Sequence, residues 1–124
     1  MIVEWVLPAD LTAARAARER VADDTGARSV PSAVTDDLIL IASELAANAV
    51  RHGEPPVLLR LAYLGDRIRI TVSNHGDSPD PRIIEAAGDA GHGRGLAMVE
   101  QLATRVGWDR DGDRLDVWAE VEVS

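Results

Sequence analysis

One stretch limits the fold more than any other. From about Ala33 to His52 the chain has no internal glycine or proline, and Leu38, Ile41, Ala42, Leu45 and Ala49 recur at the three-and-four spacing that lines one side of an α-helix. Gly53 offers a stop, and Pro55-Pro56 bars continuation because proline has no N–H to donate. Between Leu38 and Val50 only Ser43, Glu44 and Asn48 are polar, so this helix has to be covered nearly all round.

Beyond the prolines the period changes from helical to two. Val57 to Leu64 and Arg67 to Asn74 read as strands joined by a two-residue hairpin turn at Gly65-Asp66. Successive strand residues point to opposite faces, which puts Ile68, Ile70, Val72 and Asn74 on one side and Arg67, Arg69, Thr71 and Ser73 on the other. Asn74 therefore points toward the core layer. Ahead of the long helix, Ile2 to Leu7 is β-prone and stopped by Pro8. Asp10 offers an N-cap for a helix through Leu11, Ala14, Ala17 and Val21, which Asp24-Thr25-Gly26 ends.

The stretch from His75 to Arg94 is rich in glycine and proline and is longer than most connections, which marks a segment that moves or binds, with Arg82 to Ala87 long enough for a helical turn or two. A helix follows from Gly95 to Ala103, with Leu96, Val99 and Leu102 on its apolar side. Then come a strand near Val106 to Arg110, a turn at Asp111-Gly112 and a last strand. There Leu115, Val117, Ala119, Val121 and Val123 face inward, and Asp116, Trp118, Glu120 and Glu122 outward. The order β, α, α, β, β, loop, α, β, β is not the alternation of a parallel doubly wound sheet. It predicts an α+β class, a two-layer α/β sandwich with three main helices on one face of a mixed, mostly antiparallel sheet.

With 124 residues the chain suits a single domain, 1–124. It has no cysteine, which removes disulfides, thiolate metal sites and a cysteine nucleophile. A net charge of −8 opposes direct nucleic-acid binding, and the short apolar runs oppose a membrane span. The expected compartment is the cytoplasm.

Glu44 and Asn48 are i and i+4 and share one face of the long helix. Two readings stand at this point: a narrow solvated stripe extended by Asp37 and Arg51, or a polar cavity holding a charged ligand, since an unpaired buried charge is costly. Gly91, Gly93 and Gly95 alternate just before a helix, a pattern that suits either a flexible connector or backbone amides approaching phosphate. His52, His75 and His92 lack the close spacing of metal ligands, and Trp5, Trp108 and Trp118 read as packing residues.

Four blocks in this order carry a resemblance: ELAANAVRHG (Glu44 to Gly53), TVSNHG (Thr71 to Gly76), GHGRGLAMV (Gly91 to Val99) and DVWAEVEV (Asp116 to Val123). They resemble the N, G1 and G2 boxes and closing strand of histidine-kinase-like (GHKL) ATPases, most of all the small anti-sigma-factor serine/threonine kinases. The resemblance runs from about Ile2 to Val123. It implies a Bergerat-type sandwich with ATP between helices and a mobile lid over about 75–94. By the same resemblance Asn48 ligates Mg²⁺ and Glu44 is the general base on a serine or threonine hydroxyl. Gly76, Gly91, Gly93, Gly95 and Leu96 line the nucleotide, and Arg94 either reaches the γ-phosphate or is a solvated loop arginine. The implied partners are a STAS-type anti-sigma-factor antagonist and a sigma factor. A homodimer is also implied, with the first strand adding to a neighbouring sheet edge.

One departure bears on adenine. Where the family pattern has an aspartate that accepts from the adenine amino group, this chain has Asn74, and Ser78 replaces the usual second glycine of that box. A carboxamide can still accept from the amino group, but without the charge that makes such bonds roughly twice as strong. The alternative is a non-catalytic adaptor of the same fold acting through protein contacts. A detached sensor-kinase domain is disfavoured, because the residues before Ala33 leave no room for a phospho-acceptor hairpin.

Overall fold

The computed structural model describes residues 1–77 and 93–123, and of 93–95 only their place in a helix. In chain order the elements are β1 (Ile2–Leu7), α1 (Ala13–Ala27), α2 (Ser32–His52), β2 (Glu54–Tyr63), β3 (Arg67–His75), α3 (Gly93–Leu102), β4 (Arg105–Asp111) and β5 (Arg114–Glu122). The five strands form one open sheet in the order β1-β2-β3-β5-β4. Every pairing among the described residues is antiparallel, which makes the sheet simpler than the mixed one expected from sequence. The class is α+β, with three helices among the described residues.

The long helix lies where its composition requires. Leu38, Ile41, Ala42, Leu45 and Ala49 press onto the sheet through Leu59, Leu61, Ile70 and Val72, all buried. Each large aliphatic side chain fully buried in this way contributes about 1.5–3 kcal/mol. Helix α1 packs on one side of α2 and α3 on the other. In α1 the buried residues are Ala13, Ala17, Val21 and Thr25, one every four, and the two alanines allow close approach to α2. Thr25 is fully buried, and its hydroxyl donates to Val21 O at 2.7 Å.

Several boundaries differ from the sequence reading. Helix α1 begins at Ala13 because Asp10 caps the turn before it, its carboxylate accepting from Thr12 N at 2.8 Å. Leu11, expected on the helix's apolar face, is therefore 97% exposed. The helix also runs through Gly26 to Ala27, and the chain turns only at Ser29, which has φ 55°. Strand β2 starts at Glu54, ahead of the prolines. Glu54 pairs with His75, and the register slips before Leu58 because Pro55 and Pro56 cannot donate to the ladder. The β4–β5 turn is Gly112-Asp113, one residue later than expected, with Gly112 at φ +61°.

The end of α1 is pinned to β2 by the Tyr63 hydroxyl, which donates to Asp24 beneath the Arg28 guanidinium. Burial, then the Asp24 contact, pushes the phenol above its ordinary range, so it stays protonated.

Candidate functional site

The last three turns of α2 carry the polar residues that the sequence singles out. Ser43 points toward α1, where it accepts a hydrogen bond from Arg18 at 2.8 Å. At about 100° per residue Glu44 and Asn48 fall on the opposite flank, the side on which α3 packs. Asp37, Glu44 and Asn48 are all partly buried, so this flank is neither a solvated stripe nor a sealed core. Glu44 makes no hydrogen bond or ion pair with the described residues. The Asn48 carbonyl oxygen accepts from Arg51 at 3.2 Å, and Arg51 itself is exposed.

Asn74, at the end of β3, meets α2 from below. It is 4% exposed, and its amide donates to Ala49 O at 3.5 Å, the helical residue next to Asn48. Gly53 makes this approach possible. A Cβ there would lie 2.3 Å from the Asn74 carboxamide carbon, so any larger residue displaces the amide. The sequence marks Gly53 only as a helix stop. Its backbone is extended, and the requirement for glycine comes from a side chain twenty-one positions away. Gly76, by contrast, needs glycine for its own backbone, with φ +92°, and it also packs on the Glu54 carboxylate.

Helix α3 begins at Gly93, earlier than the expected Gly95, so Gly93, Arg94 and Gly95 lie in its first turn. First-turn amides have no intrahelical acceptor and are free in principle to meet an anion. Leu96 is partly buried against the core. Gly91, Ser78 and most of the expected lid over 75–94 lie outside the described residues, as does the Arg94 side chain. The structure thus brings Asn48, Gly53 and Asn74 together around the end of α2, with Glu44 one turn back.

No three His, Cys, Asp or Glu converge on a metal-sized space among the described residues. A divalent cation here would draw most of its ligands from phosphate and water, with the Asn48 and Glu44 oxygens the hard donors within reach.

The sequence profile of the histidine kinase-like ATPase domain matches residues 7–121. The chain belongs to this family. Membership implies ATP binding.

Solved structures agree on the fold. The RsbU and RsbW domains of Rv1364c from Mycobacterium tuberculosis superpose with a TM-score of 0.74 at 20% identity, over 98% of this chain and 31% of that one. This chain therefore spans under a third of that protein. A chain of the SiaB-SiaC complex from Pseudomonas aeruginosa gives 0.69 at 12% identity over 96% and 88%. The histidine kinase AdeS of Acinetobacter baumannii gives 0.59 at 10% identity over 100% and 69%. A comparison with curated proteins returns no match. No helix among the described residues is long and apolar enough to cross a membrane.

Proposed function

We propose that this histidine kinase-like domain is an Mg-ATP-dependent serine/threonine protein kinase of the anti-sigma-factor type, acting in the cytoplasm on an anti-sigma-factor antagonist and binding a sigma factor. The observation that carries the reading is Glu44, a partly buried carboxylate without a partner among the described residues, one helical turn from Asn48. Burying an acid without a partner is unfavourable, so a site that keeps one has a use for it.

In this reading Glu44 takes the proton from a serine or threonine hydroxyl as that oxygen bonds to the γ-phosphorus. The bond from phosphorus to the β–γ bridging oxygen breaks, and ADP leaves. Mg²⁺, when bound, neutralises charge on the phosphates. Asn48 would hold it through the carbonyl oxygen that here accepts from Arg51. The first-turn amides of α3 at Gly93 and Gly95 bind phosphate oxygens, with Gly91 and Gly76 flanking, Arg94 meeting the γ-phosphate, and Leu96 backing the pocket. Asn74 accepts from the adenine amino group. The partner classes rest on the motif resemblance, and two of the fold neighbours, named for RsbW and for a SiaB-SiaC complex, support a regulatory setting.

Calorimetric titration with ATP, ADP and GTP, with and without magnesium, tests the proposal on the wild type and Glu44→Ala. Magnesium-dependent ATP and ADP binding in both proteins, with phosphotransfer only in the wild type, is the expected result. Absence of nucleotide binding in the wild type would remove the proposal. It would favour the second reading, a non-catalytic adaptor, for which neutral Asn74 in the adenine position is the specific support. On that second reading Asn74→Asp restores nucleotide affinity, whereas an already tight wild-type affinity that this change leaves unaltered counts against it.

A further inference from the structure

The described helices cover one face of the sheet and leave the other open, and the two edge strands, β1 and β4, differ in how they end the sheet. An unpaired edge accepts another strand unless charge, proline or a bulge guards it. Strand β4 is guarded, with Arg105, Asp109, Arg110 and Asp111 exposed along it. Strand β1 has no proline and runs in continuous register with β2. Its one charge, Glu4, leans back over β2 to Arg60 at 2.7 Å.

The backbone of β1 faces outward at alternate residues. Tyr63 N donates to Met1 O at 2.9 Å, which in an antiparallel ladder turns the bonding groups of Val3, Trp5 and Leu7 toward β2 and those of Ile2, Glu4 and Val6 away from it. On the open face the Ile2 and Val6 side chains are 61% and 72% exposed. On the helix side, β1 and α1 enclose a groove of about 480 Å³ lined by Leu7, Ala16, Glu19, Arg20 and Asp23. Arg20 is drawn onto the Trp5 ring, 5.9 Å from its centre. Glu19 and Asp23 are exposed, one turn apart, and form no ion pair among the described residues. Like charges at that spacing destabilise a helix, and a cation beside them relieves the repulsion.

We infer that the β1 edge and this groove take an extended segment of a partner protein as an added strand antiparallel to β1, with a basic side chain in the groove and aliphatic side chains beside Ile2 and Val6. Directly paired residues of neighbouring strands share a face. The segment's residue opposite Leu7 therefore enters the groove, where lysine or arginine meets Glu19 and Asp23. Its residues opposite Val6 and Ile2 lie on the open face, where aliphatic side chains cover theirs. Main-chain bonds to Ile2, Glu4 and Val6 supply affinity, and the side chains supply selectivity. The net charge of −8 also favours the approach of a basic segment. A second copy of the chain is a poor occupant. In the antiparallel register of fullest overlap Glu4 meets Glu4, like charges directly opposite, and β1 brings no basic side chain to the groove.

Amide-resolved NMR titration of the full chain, without nucleotide, tests this with the acetylated, amidated peptide Lys-Val-Thr-Thr-Ser-Val, whose lysine falls opposite Leu7. Saturable shifts of the Ile2, Glu4 and Val6 amides are expected, and glutamate in place of the lysine is expected to weaken binding more than about tenfold. Glu19→Arg combined with Asp23→Arg is expected to reverse that preference. Glu4→Pro, which removes an outward N–H and leaves the β2 ladder intact, is expected to fold by circular dichroism and to lose the peptide. The charge reversals decide the matter should the proline disturb the fold. No saturable shift up to about 1 mM peptide overturns the inference. So do equal affinities for the two peptides, a preference that the reversals leave unchanged, or a folded Glu4→Pro that still binds. Ile2, Glu4 and Val6 amides already protected from exchange in the protein alone, as pairing of two β1 edges would make them, overturn it too.

Discussion

Two glutamates, Glu44 on the flank of α2 and Glu120 on the open face of the sheet, are both withdrawn from water and are treated in opposite ways. Glu120 is 1% exposed, with Arg69 at 2.8 Å, Arg67 at 3.4 Å and Arg105 at 3.8 Å. Burial alone would push its carboxyl up. The hydrogen bonds and charges of Arg69 and Arg67 outweigh that and hold it below the ordinary glutamate value. Glu44 is only partly buried and has no such company among the described residues. Saturating an acid with arginines fixes a strand in place and leaves the acid inert. An acid without partners is poorly suited to holding a fold together and remains available to a substrate.

The comparison breaks if the two residues prove interchangeable. The largest effect expected is on chemistry: Glu44→Gln lowers phosphotransfer about 10²–10⁴-fold while nucleotide still binds, read by transfer of labelled phosphate in single turnover. Next, Glu120→Gln leaves three arginines around a neutral group and costs about 3 kcal/mol, the low end for a broken buried pair because the arginines reach solvent. Urea unfolding measures it. Gly53→Ala, which drives a methyl group into Asn74, costs about 1–3 kcal/mol and weakens nucleotide binding as well.

A pH titration sharpens the contrast. Because the folded pKa of Glu120 is lowered, its contribution is fully present above the unfolded value of about 4.3 and is lost as pH falls through the lower folded value. The melting temperature of the wild type should therefore drop more steeply below about pH 4.3 than that of Glu120→Gln. The smallest effect is the stability change in Glu44→Gln, within about 0.5 kcal/mol by urea unfolding. A loss there as large as that of Glu120→Gln would make Glu44 structural.

Periodicity made most of the fold legible. The Leu38–Ala49 stripe, the Gly65-Asp66 hairpin and the alternation of β3 each have one physical solution, and the structure adopts it. Boundaries were less legible where a side chain acts on a distant backbone. Asp10 delays α1 by capping Thr12, and the prolines of β2 interrupt its ladder without ending it. Glu120 shows the main blind spot. Alternation assigns it correctly to the outer face, but that face is dried by arginines from neighbouring strands, which only the strand order reveals. At the candidate site the family motifs pointed to Glu44, Asn48 and Asn74. The dependence of Asn74 on Gly53 was hidden, because nothing in a local sequence window connects them.

The strand order carries a consequence for how the chain is made. Strand β5, the last of the described strands to leave the ribosome, inserts between β3 and β4, so β4 joins the sheet only through it. Until Arg114–Glu122 emerges, β3 bears a bare hydrogen-bonding edge, and the strand that carries Asn74 lacks half its support. A nascent chain stalled short of that point would be a sticky, half-zipped intermediate, and its safe release depends on β5 arriving promptly.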